Sequence, residues 1–306
     1  MTKDSKNKDK KDSAEKAKHI VEAAELDDGD GGDFDYIDAE EPFYKRFWRQ
    51  LPDHQGWLAD LKICVGVLTR IPVPPSSLPE DLSVSGASRY FPLVGGAIGL
   101  LGGIAVMLAA WLSFSPIVTS VFGLLAMTLV TGALHEDGLA DTIDGLGGGS
   151  TRERRLAIMH DSQIGSFGVV ALIFSFALKW AALTAIVGIS VGDAVFSLIA
   201  AAAASRAVLP VVMHYVPIAR EDGLSADAGQ PGFDRATVAF LIGSAFLIFC
   251  LGFQTGIVSL VLGAAVAAMF IYFVANRIGG QTGDVLGATQ QITEGVVLLT
   301  IVMVKV

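Results

Sequence analysis

A dense run of carboxylates occupies residues 135–145, near the middle of the 306-residue chain. Asp137, Asp141 and Asp144 are spaced four and three residues apart, so a helix here places all three on one face. Carboxylates this close repel one another unless a cation lies between them. Oxygen donors at this density favour Mg²⁺, which proteins usually share with substrate phosphates. We predict Glu136, Asp137, Asp141 and Asp144 as metal ligands, and a solvated acidic loop is the alternative.

A glycine run and three arginines follow the carboxylates directly. A glycine-rich loop lets backbone N–H groups approach phosphate oxygens closely, and arginines add charge-assisted hydrogen bonds. Beside a carboxylate cluster, this pattern favours a site for nucleotide phosphates. A flexible linker is the alternative for the glycines, and a topology signal is the alternative for the arginines. The predicted substrate-binding residues are Gly147, Gly148, Gly149, Arg152, Arg154 and Arg155.

Two further polar segments carry candidate residues. His160 and Asp161 precede a long apolar stretch, where we predict a general base. A helix-entry cap by Asp161 or Ser162 is the alternative. Residues 279–294 again place glycines before an acid and then a helix with a polar face. We predict that Asp284 and Glu294 contact substrate there, with a polar loop and an amphipathic helix as the alternative.

Long apolar segments must position these groups. The chain is 52 % apolar and 17 % charged, with a mean hydropathy of +0.55, whereas soluble domains have about 25 % charged residues. Each bilayer crossing needs roughly 20 apolar residues. We therefore predict an all-α polytopic transmembrane bundle of about six to seven spans. The predicted spans are 91–114, 116–134, 167–189, 194–213, 236–253 and 256–274, and a short run at 295–304 is either extended back through 285–292 or a half-helix.

The chain divides into three predicted regions. Residues 1–41 are a charged tail that lacks the apolar residues needed to fold, so we predict disorder. Residues 42–90 form an interfacial segment with an amphipathic helix at 57–68, which the prolines from Pro72 onward terminate. Residues 91–306 form the transmembrane catalytic domain. We predict no cleavable signal peptide, because charge rather than an apolar core follows the first methionine.

Positive charge in short loops sets the orientation of a membrane protein. The loops that carry lysines and arginines are all ones that these spans would place on one side of the membrane. The tight, charge-poor gaps at 113–115, 190–193 and 254–255 lie on the other side. We therefore predict that the polar loops and the N-terminus are cytoplasmic. The carboxylate segment and residues 279–294 then share one face and can close one active site.

Residues 68–74, 89–95, 135–149, 155–168 and 279–294 resemble, in content and order, the cobalamin synthase family of adenosylcobinamide-GDP ribazoletransferases. The resemblance covers most of residues 57–306 but not the tail. It implies an inner-membrane enzyme of vitamin B12 assembly that requires Mg²⁺. The reaction it implies joins α-ribazole, or its 5′-phosphate, to adenosylcobinamide-GDP and releases GMP. The other predicted partner is the lipid bilayer; we predict no nucleic-acid partner and leave a homo-oligomer open.

Two rival functions are alternatives to the one that this resemblance implies. CDP-alcohol phosphotransferases also use an aspartate cluster in the membrane, and Asp141, Asp144 and Gly145 match the start of their motif. The Ala-Arg pair that should follow is absent, since positions 148 and 149 are glycines. A transporter can likewise combine glycine-rich broken helices with internal charges. The chain shows no clear internal repeat, and its charges gather at one face, so an enzyme is favoured.

Overall fold

The computed structural model describes residues 56–74, 77 and 83–306. This part of the chain folds into helices and contains no β-strand. Six of its helices are long and apolar enough to cross a membrane, or up to seven crossings if one bent pair counts as a span. The predicted all-α transmembrane bundle of six to seven spans is confirmed. The predicted tail at 1–41 lies outside the described residues.

The described chain begins with a helix at the predicted position. Helix α1 (Trp57–Leu68) ends where the Thr69 hydroxyl donates to the Val65 carbonyl at 2.7 Å, shortly before Pro72. A short helix α2 (Val84–Ala87) and a 3-10 turn (Ser88–Tyr90) lead into the bundle.

The other helices follow in chain order. They are α3 (Phe91–Trp111), α4 (Pro116–Thr131), α5 (Leu134–Gly148), α6 (Arg152–Met159), α7 (Ser166–Ile189), α8 (Val191–Tyr215), α9 (Leu224–Ala228), α10 (Phe233–Leu251), α11 (Phe253–Ile278) and α12 (Gly283–Lys305).

Helix α8 forms the centre of the bundle, packed against α3, α10 and α12. Its alanine-rich middle, residues 200–204, is buried throughout. Small residues let helix backbones approach closely where lipid provides no hydrophobic drive for association. Gly99 on α3 shows how close this approach is, because a methyl group there would lie 2.7 Å from Ile199 Cα. Outer helices instead expose large apolar side chains, such as Phe249, which is 88 % exposed.

The predicted span 116–134 is wrong at its C-terminal end. Helix α4 stops at Thr131, because Gly132 and Ala133 both adopt positive φ angles, of 64° and 59°. Positive φ is easy for glycine but uncommon for alanine. The chain bends by 87° here, so α5 leaves α4 nearly at a right angle. Helix α5, which carries the carboxylates, is therefore not among the six spanning helices.

Two other boundaries differ from the predictions. The gap predicted at 254–255 instead lies at Gly252. This single residue, with a φ of 82°, joins α10 to α11. Only Ser190 separates α7 from α8, and its side chain accepts a hydrogen bond from Asp193 N at 3.2 Å. The C-terminal run is one continuous helix, α12, so the half-helix alternative is wrong. A cap by Thr282, which accepts from Val285 N at 3.3 Å, starts that helix.

Long-range contacts gather the polar loops at one end of the bundle. Arg235 Nε donates to the Gly86 carbonyl at 3.0 Å, which ties the start of α10 to α2. Ile218 and Gln281 form an isolated parallel β-bridge between the loops that follow α8 and α11. The single-residue turns at Ser190 and Gly252 lie at the other ends of the same helices. The polar segments therefore meet in three dimensions.

Candidate active site at the polar end of the bundle

The predicted carboxylates on helix α5 differ in how far they are exposed to solvent. Asp137 is exposed and Asp141 is half-buried, whereas Glu136 and Asp144 are buried. One Glu136 oxygen is 3.4 Å from the Thr128 hydroxyl, and the other has no partner among the described residues. The two accessible carboxylates, Asp137 and Asp141, are thus the ones positioned to meet a ligand.

Asp144 is hydrogen-bonded to the start of helix α7. Its two carboxylate oxygens accept hydrogen bonds from Gly165 N at 2.7 Å and Gly168 N at 2.9 Å. These N–H groups belong to the start of α7, where a carboxylate both caps the helix and complements its dipole. The side chain therefore holds α7 against α5. Its predicted role as a metal ligand stays a prediction.

Asp284, from the end of the chain, joins the α5 carboxylates. Helix α12 packs directly on α5, with Gly287 against Gly138. The Thr282 hydroxyl is 3.2 Å from Asp284 Oδ2. The half-buried Asp284 carboxylate lies close enough to Asp141 to repel it. The prediction that residues 135–145 and 279–294 share one end of the bundle therefore agrees with the structure for Asp284.

Burial and charge repulsion act together on Asp141. Burial, with the neighbouring Asp137, Asp284 and Asp144 carboxylates, raises the pKa of Asp141 from its ordinary value of 3.8 to about 7. Arg220 opposes this shift. The cluster holds more negative than positive charge, and a bound cation would relieve the remaining repulsion.

The close approach of α5 and α12 gives a first prediction. A methyl group at Gly138 would lie 2.8 Å from the Asp284 carbonyl oxygen and 3.0 Å from Asp284 Cα, so Gly138→Ala must push the helices apart. We expect a loss of about 1–3 kcal/mol of stability and reduced activity, because Asp284 moves from the α5 carboxylates. Thermal unfolding in detergent and turnover measure the two effects.

Gly188→Ala on α7 is the matched control for this change. Nothing lies within 4 Å of a methyl group at that position. Alanine is also favoured over glycine inside a helix by about 1 kcal/mol. We expect the control to unfold at the same temperature as the wild type or higher. Equal behaviour of the two variants would contradict the tight packing of α5 on α12.

Arg220 is a site residue that the sequence prediction missed. It lies in the loop after α8, and its Nη2 atom is 3.5 Å from Asp284 Oδ2. Its Nε atom is 3.5 Å from Asp222 Oδ1, and its buried Nη1 atom has no partner among the described residues. Arg220 supplies the positive charge beside the carboxylates. Its sequence position suggested only a topology signal.

The three arginines after α5 divide by their contacts. Arg152 donates from Nε to the Ile278 carbonyl at 2.7 Å and from Nη2 to the Ala219 carbonyl at 2.6 Å. Arg155 Nη1 donates to the Arg277 carbonyl at 3.2 Å. These two side chains therefore connect α6 to the C-terminal end of α11 and, through Arg152, to the loop after α8. Arg154 is exposed, and its guanidinium has no partner in the described part of the chain. Arg154 is thus the arginine of the three left free for a phosphate.

The predicted glycine loop is wrong as a loop. Gly147 and Gly148 are the last residues of α5, and Gly149 N donates to the Gly145 carbonyl at 3.0 Å. The reason is close packing, since a methyl group at Gly147 would lie 2.7 Å from the Phe167 ring. Backbone N–H groups engaged in the helix are not free to bind phosphate. Contact of the glycines with substrate stays a prediction.

His160 and Asp161 lie together in the connection between α6 and α7. Both are exposed, and Asp161 Oδ1 accepts a hydrogen bond from Gln163 N at 3.1 Å. That bond closes a local turn and is not the helix cap of the alternative interpretation, because α7 begins at Ser166 after Gly165. The Asp144 contact with Gly165 attaches the same connection to α5. A role for either residue as a base stays a prediction.

Glu294 lies away from the other predicted site residues. It follows Asp284 by ten residues on α12, or about 15 Å along the helix. Its buried carboxylate oxygens are 3.4 Å from Lys179 Nζ and 3.2 Å from Arg206 Nη1. Gln290 Nε2 also donates to it at 2.8 Å. Glu294 is therefore the centre of a buried ionic network, and the structure does not bring it to the carboxylate cluster.

The described carboxylates do not form a metal site by themselves. Among the described residues, no three His, Cys, Asp or Glu side chains are grouped closely enough to hold a metal ion. Mg²⁺ seldom uses such an all-protein cage, and it is often held by one or two carboxylates together with substrate phosphates. The oxygen donors of Asp137, Asp141 and Asp284 suit that mode of binding.

Comparisons with known proteins place the chain in a family. A family model described as cobalamin-5-phosphate synthase matches residues 60–302. The chain is 43 % identical over 242 residues to a Bradyrhizobium diazoefficiens protein named adenosylcobinamide-GDP ribazoletransferase, covering 79 % of this chain and 92 % of that protein. An Azorhizobium caulinodans protein of the same name is 43 % identical over 248 residues, covering 79 % and 94 %. No solved structure matches the chain. The chain belongs to the cobalamin-5-phosphate synthase family.

Proposed function

We propose that this chain transfers α-ribazole, or its 5′-phosphate, to adenosylcobinamide-GDP and releases GMP, as a step of cobalamin biosynthesis. The observation that supports this most is the meeting of Asp137, Asp141, Asp284 and Arg220 at one end of the bundle. The similar proteins are named for transfer of ribazole to adenosylcobinamide-GDP, and release of GMP is our addition to that reaction. We place this end at the cytoplasmic face of the inner membrane, because the lysines and arginines of the loops gather there.

The chemistry is displacement at phosphorus. The 3′-hydroxyl oxygen of the ribazole attacks the phosphorus on the cobinamide side, and the bond from that phosphorus to the GMP oxygen breaks. The hydroxyl proton passes to a base, for which His160 and Asp161 are the candidates in the adjoining connection. Transfers of this kind depend mainly on positioning and on neutralising phosphate charge. The residues that we expect to position the substrates and neutralise the phosphate charge lie at the polar end of the bundle.

Mg²⁺ is the proposed cofactor, held by Asp137, Asp141 and Asp284 together with phosphate oxygens. When bound, it would neutralise the charge of the diphosphate. The protein's own contribution is to hold three carboxylates at one place on α5 and α12. Asp144 helps indirectly by holding α7 against α5.

The arginines receive separate roles in this proposal. Arg220 already lies beside Asp284, so its guanidinium can contact a phosphate held at the same carboxylates. Arg154, exposed and without a partner in the described part of the chain, can bind the outer phosphate of the guanosine nucleotide. Guanidinium groups bind phosphate through two parallel hydrogen bonds, a geometry that lysine lacks.

We expect Arg220→Gln to reduce kcat by about 10²- to 10³-fold, the usual loss when one donor to a developing anion is removed. The steady-state rate of GMP release measures this loss. Arg277→Gln is the control, since that guanidinium lies on the Phe273 ring and donates to the Phe273 carbonyl. Equal rates for the Arg220 variant and the wild type would remove Arg220 from the site.

The proposed function is tested with purified full-length protein in detergent. Mixing it with adenosylcobinamide-GDP, α-ribazole and Mg²⁺ should release GMP and form the joined product in equal amounts. A CDP-alcohol offered together with a second alcohol should give no CMP. GMP release that does not depend on α-ribazole would overturn the proposal, and CMP release would support the CDP-alcohol alternative. Substrate uptake into vesicles without product would support a transporter.

A further inference from the structure

A second cavity lies next to the carboxylate site. It is lined by residues of α1, α2, α3, α5, α8, α9 and α12. Its lining is mostly aliphatic and aromatic, including Phe91, Leu209 and Met213. Val67 and Leu224, which are 37 % and 65 % exposed, are its most accessible lining residues and mark its opening. Ligand pockets are commonly apolar and carry few polar groups.

His135 gives this cavity its chemical character. The side chain is 2 % exposed, and neither ring nitrogen has a hydrogen-bond partner among the described residues. Ser225 is the other polar side chain in the lining, and its hydroxyl already donates to Gln281 Oε1 at 2.7 Å. Leaving a buried polar atom unpaired costs about 1–3 kcal/mol. Such an atom in the wall of a cavity indicates that a ligand completes its hydrogen bonding.

The cavity and the carboxylate site adjoin at the start of α12. Gly283 lines the cavity, and the next residue is Asp284. The loop that carries Arg220 continues within four residues to Leu224, at the cavity opening. A molecule with an apolar ring in the cavity can therefore extend a polar group toward the carboxylates.

We propose that this cavity binds the flat aromatic base of the nucleoside that is transferred, and that His135 hydrogen-bonds to a ring nitrogen of that base. The inference rests on the proposed function and assigns a site to its second substrate. The base of α-ribazole is a dimethylated benzimidazole, which has apolar faces, two methyl groups and one ring nitrogen that accepts a hydrogen bond. The apolar lining suits the methyl groups, and the N–H group of a neutral His135 ring can donate to the acceptor nitrogen.

A lipid tail is the competing occupant, and His135 argues against it. An acyl chain offers no hydrogen bond, so both ring nitrogens would stay unpaired. The groove between α8, α10 and α11 provides a contrast, because its lining consists of apolar residues and Tyr215. That groove suits lipid, because no buried polar atom in its lining lacks a partner.

The test is calorimetric titration of purified full-length protein in detergent with α-ribazole, without Mg²⁺ or the cobinamide substrate. We expect His135→Ala to weaken α-ribazole binding at least tenfold. In turnover assays, the KM for α-ribazole should rise similarly, while the KM for adenosylcobinamide-GDP changes less than twofold. His214→Ala is the matched control, because His214 Nδ1 already contacts the Pro231 carbonyl at 2.9 Å and lies outside the cavity.

A second pair of variants keeps the test decisive if His135→Ala does not fold. Ala228→Phe fills the proposed cavity, whereas Ala268→Phe fills the lipid-facing groove instead. We expect only Ala228→Phe to abolish α-ribazole binding. The inference is overturned if the wild type binds no α-ribazole, or if both Ala228→Phe and a folded His135→Ala bind it normally.

Failure of this inference is distinguishable from failure of the proposed function. If the wild type releases GMP while the cavity variants keep a normal KM for α-ribazole, the base binds elsewhere and the function stands. If the wild type binds α-ribazole through His135 but releases no GMP, the cavity stands and the proposed reaction fails.

Discussion

Asp141→Asn is expected to lower turnover by at least about 100-fold, even at saturating Mg²⁺. The substitution removes a half-buried carboxylate that faces Asp137 and Asp284, and Mg²⁺ depends on charged oxygen ligands. GMP release and the amount of protein in the membrane should be measured together. Wild-type turnover by the variant would remove Asp141 from the proposed metal site.

The same substitution should not destabilise the fold. The pKa of Asp141 is raised to about 7, so the folded state disfavours the charged form of this side chain. That penalty grows as the pH rises above 3.8 and is complete above about 7, the reverse of a stabilising ion pair. Asparagine carries no charge, so the variant should unfold at an equal or higher Tm at pH 8 without divalent cations. A lower Tm for the variant at pH 8 would contradict the conclusion that the charged Asp141 side chain destabilises the fold.

Asp193→Asn is the matched control for Asp141→Asn. Asp193 lies in the first turn of α8, beyond the far end of the 24-residue helix α7. That helix spans about 36 Å, which separates Asp193 from the polar end. We expect the control to retain normal turnover.

Glu294→Gln is expected to cause the largest loss of stability. Glu294 is the only acid in contact with Lys179 and Arg206 among the described residues, and all three side chains are buried. Without it, two cations lie in the bundle with no anion. Breaking a buried ion pair in this way costs about 3–5 kcal/mol. Thermal unfolding in detergent, together with the yield of folded protein, measures the loss.

Lys179→Met provides the comparison for this prediction. It removes one cation and leaves Arg206 paired with Glu294 at 3.2 Å, so the remaining charges balance. We expect a clearly smaller fall in Tm than for Glu294→Gln. Adding Lys179→Met to Glu294→Gln should recover part of the lost stability, because only one unpaired cation then remains. Equal losses for both single variants, without recovery in the double variant, would show that the charge balance is unimportant.

Local sequence patterns determined the helices and the carboxylate face. Apolar length alone predicted a bundle of six to seven spans, because the bilayer thickness sets how many residues each crossing needs. The spacing of Asp137, Asp141 and Asp144 places all three on one face of a helix, because the period of a helix is fixed, and α5 is the helix that carries them. Alternation of the spans placed Asp284 at the same end as these residues, as the structure does.

Bends and capping interactions were less accessible to sequence reasoning. The 87° bend after α4 depends on positive φ at both Gly132 and Ala133, and alanine carries no signal for that conformation. Asp144 caps α7 from a position 21 residues before Gly165. The spacing of residues along α5 cannot reveal that one of its carboxylates already accepts hydrogen bonds from a different helix.

The sequence by itself determined that this is a membrane-spanning helical protein with a carboxylate helix and a second acidic segment at its polar end. Only the tertiary structure decided which charges meet. Arg220 lies 64 residues before Asp284 and still contacts it. Glu294, which lies on α12 with Asp284, instead forms a buried ion pair with Arg206. The physical reason is that helical periodicity repeats every few residues and is readable locally. The partner of a charged side chain instead depends on how separate helices pack, and here glycines such as Gly138 and Gly287 set that approach.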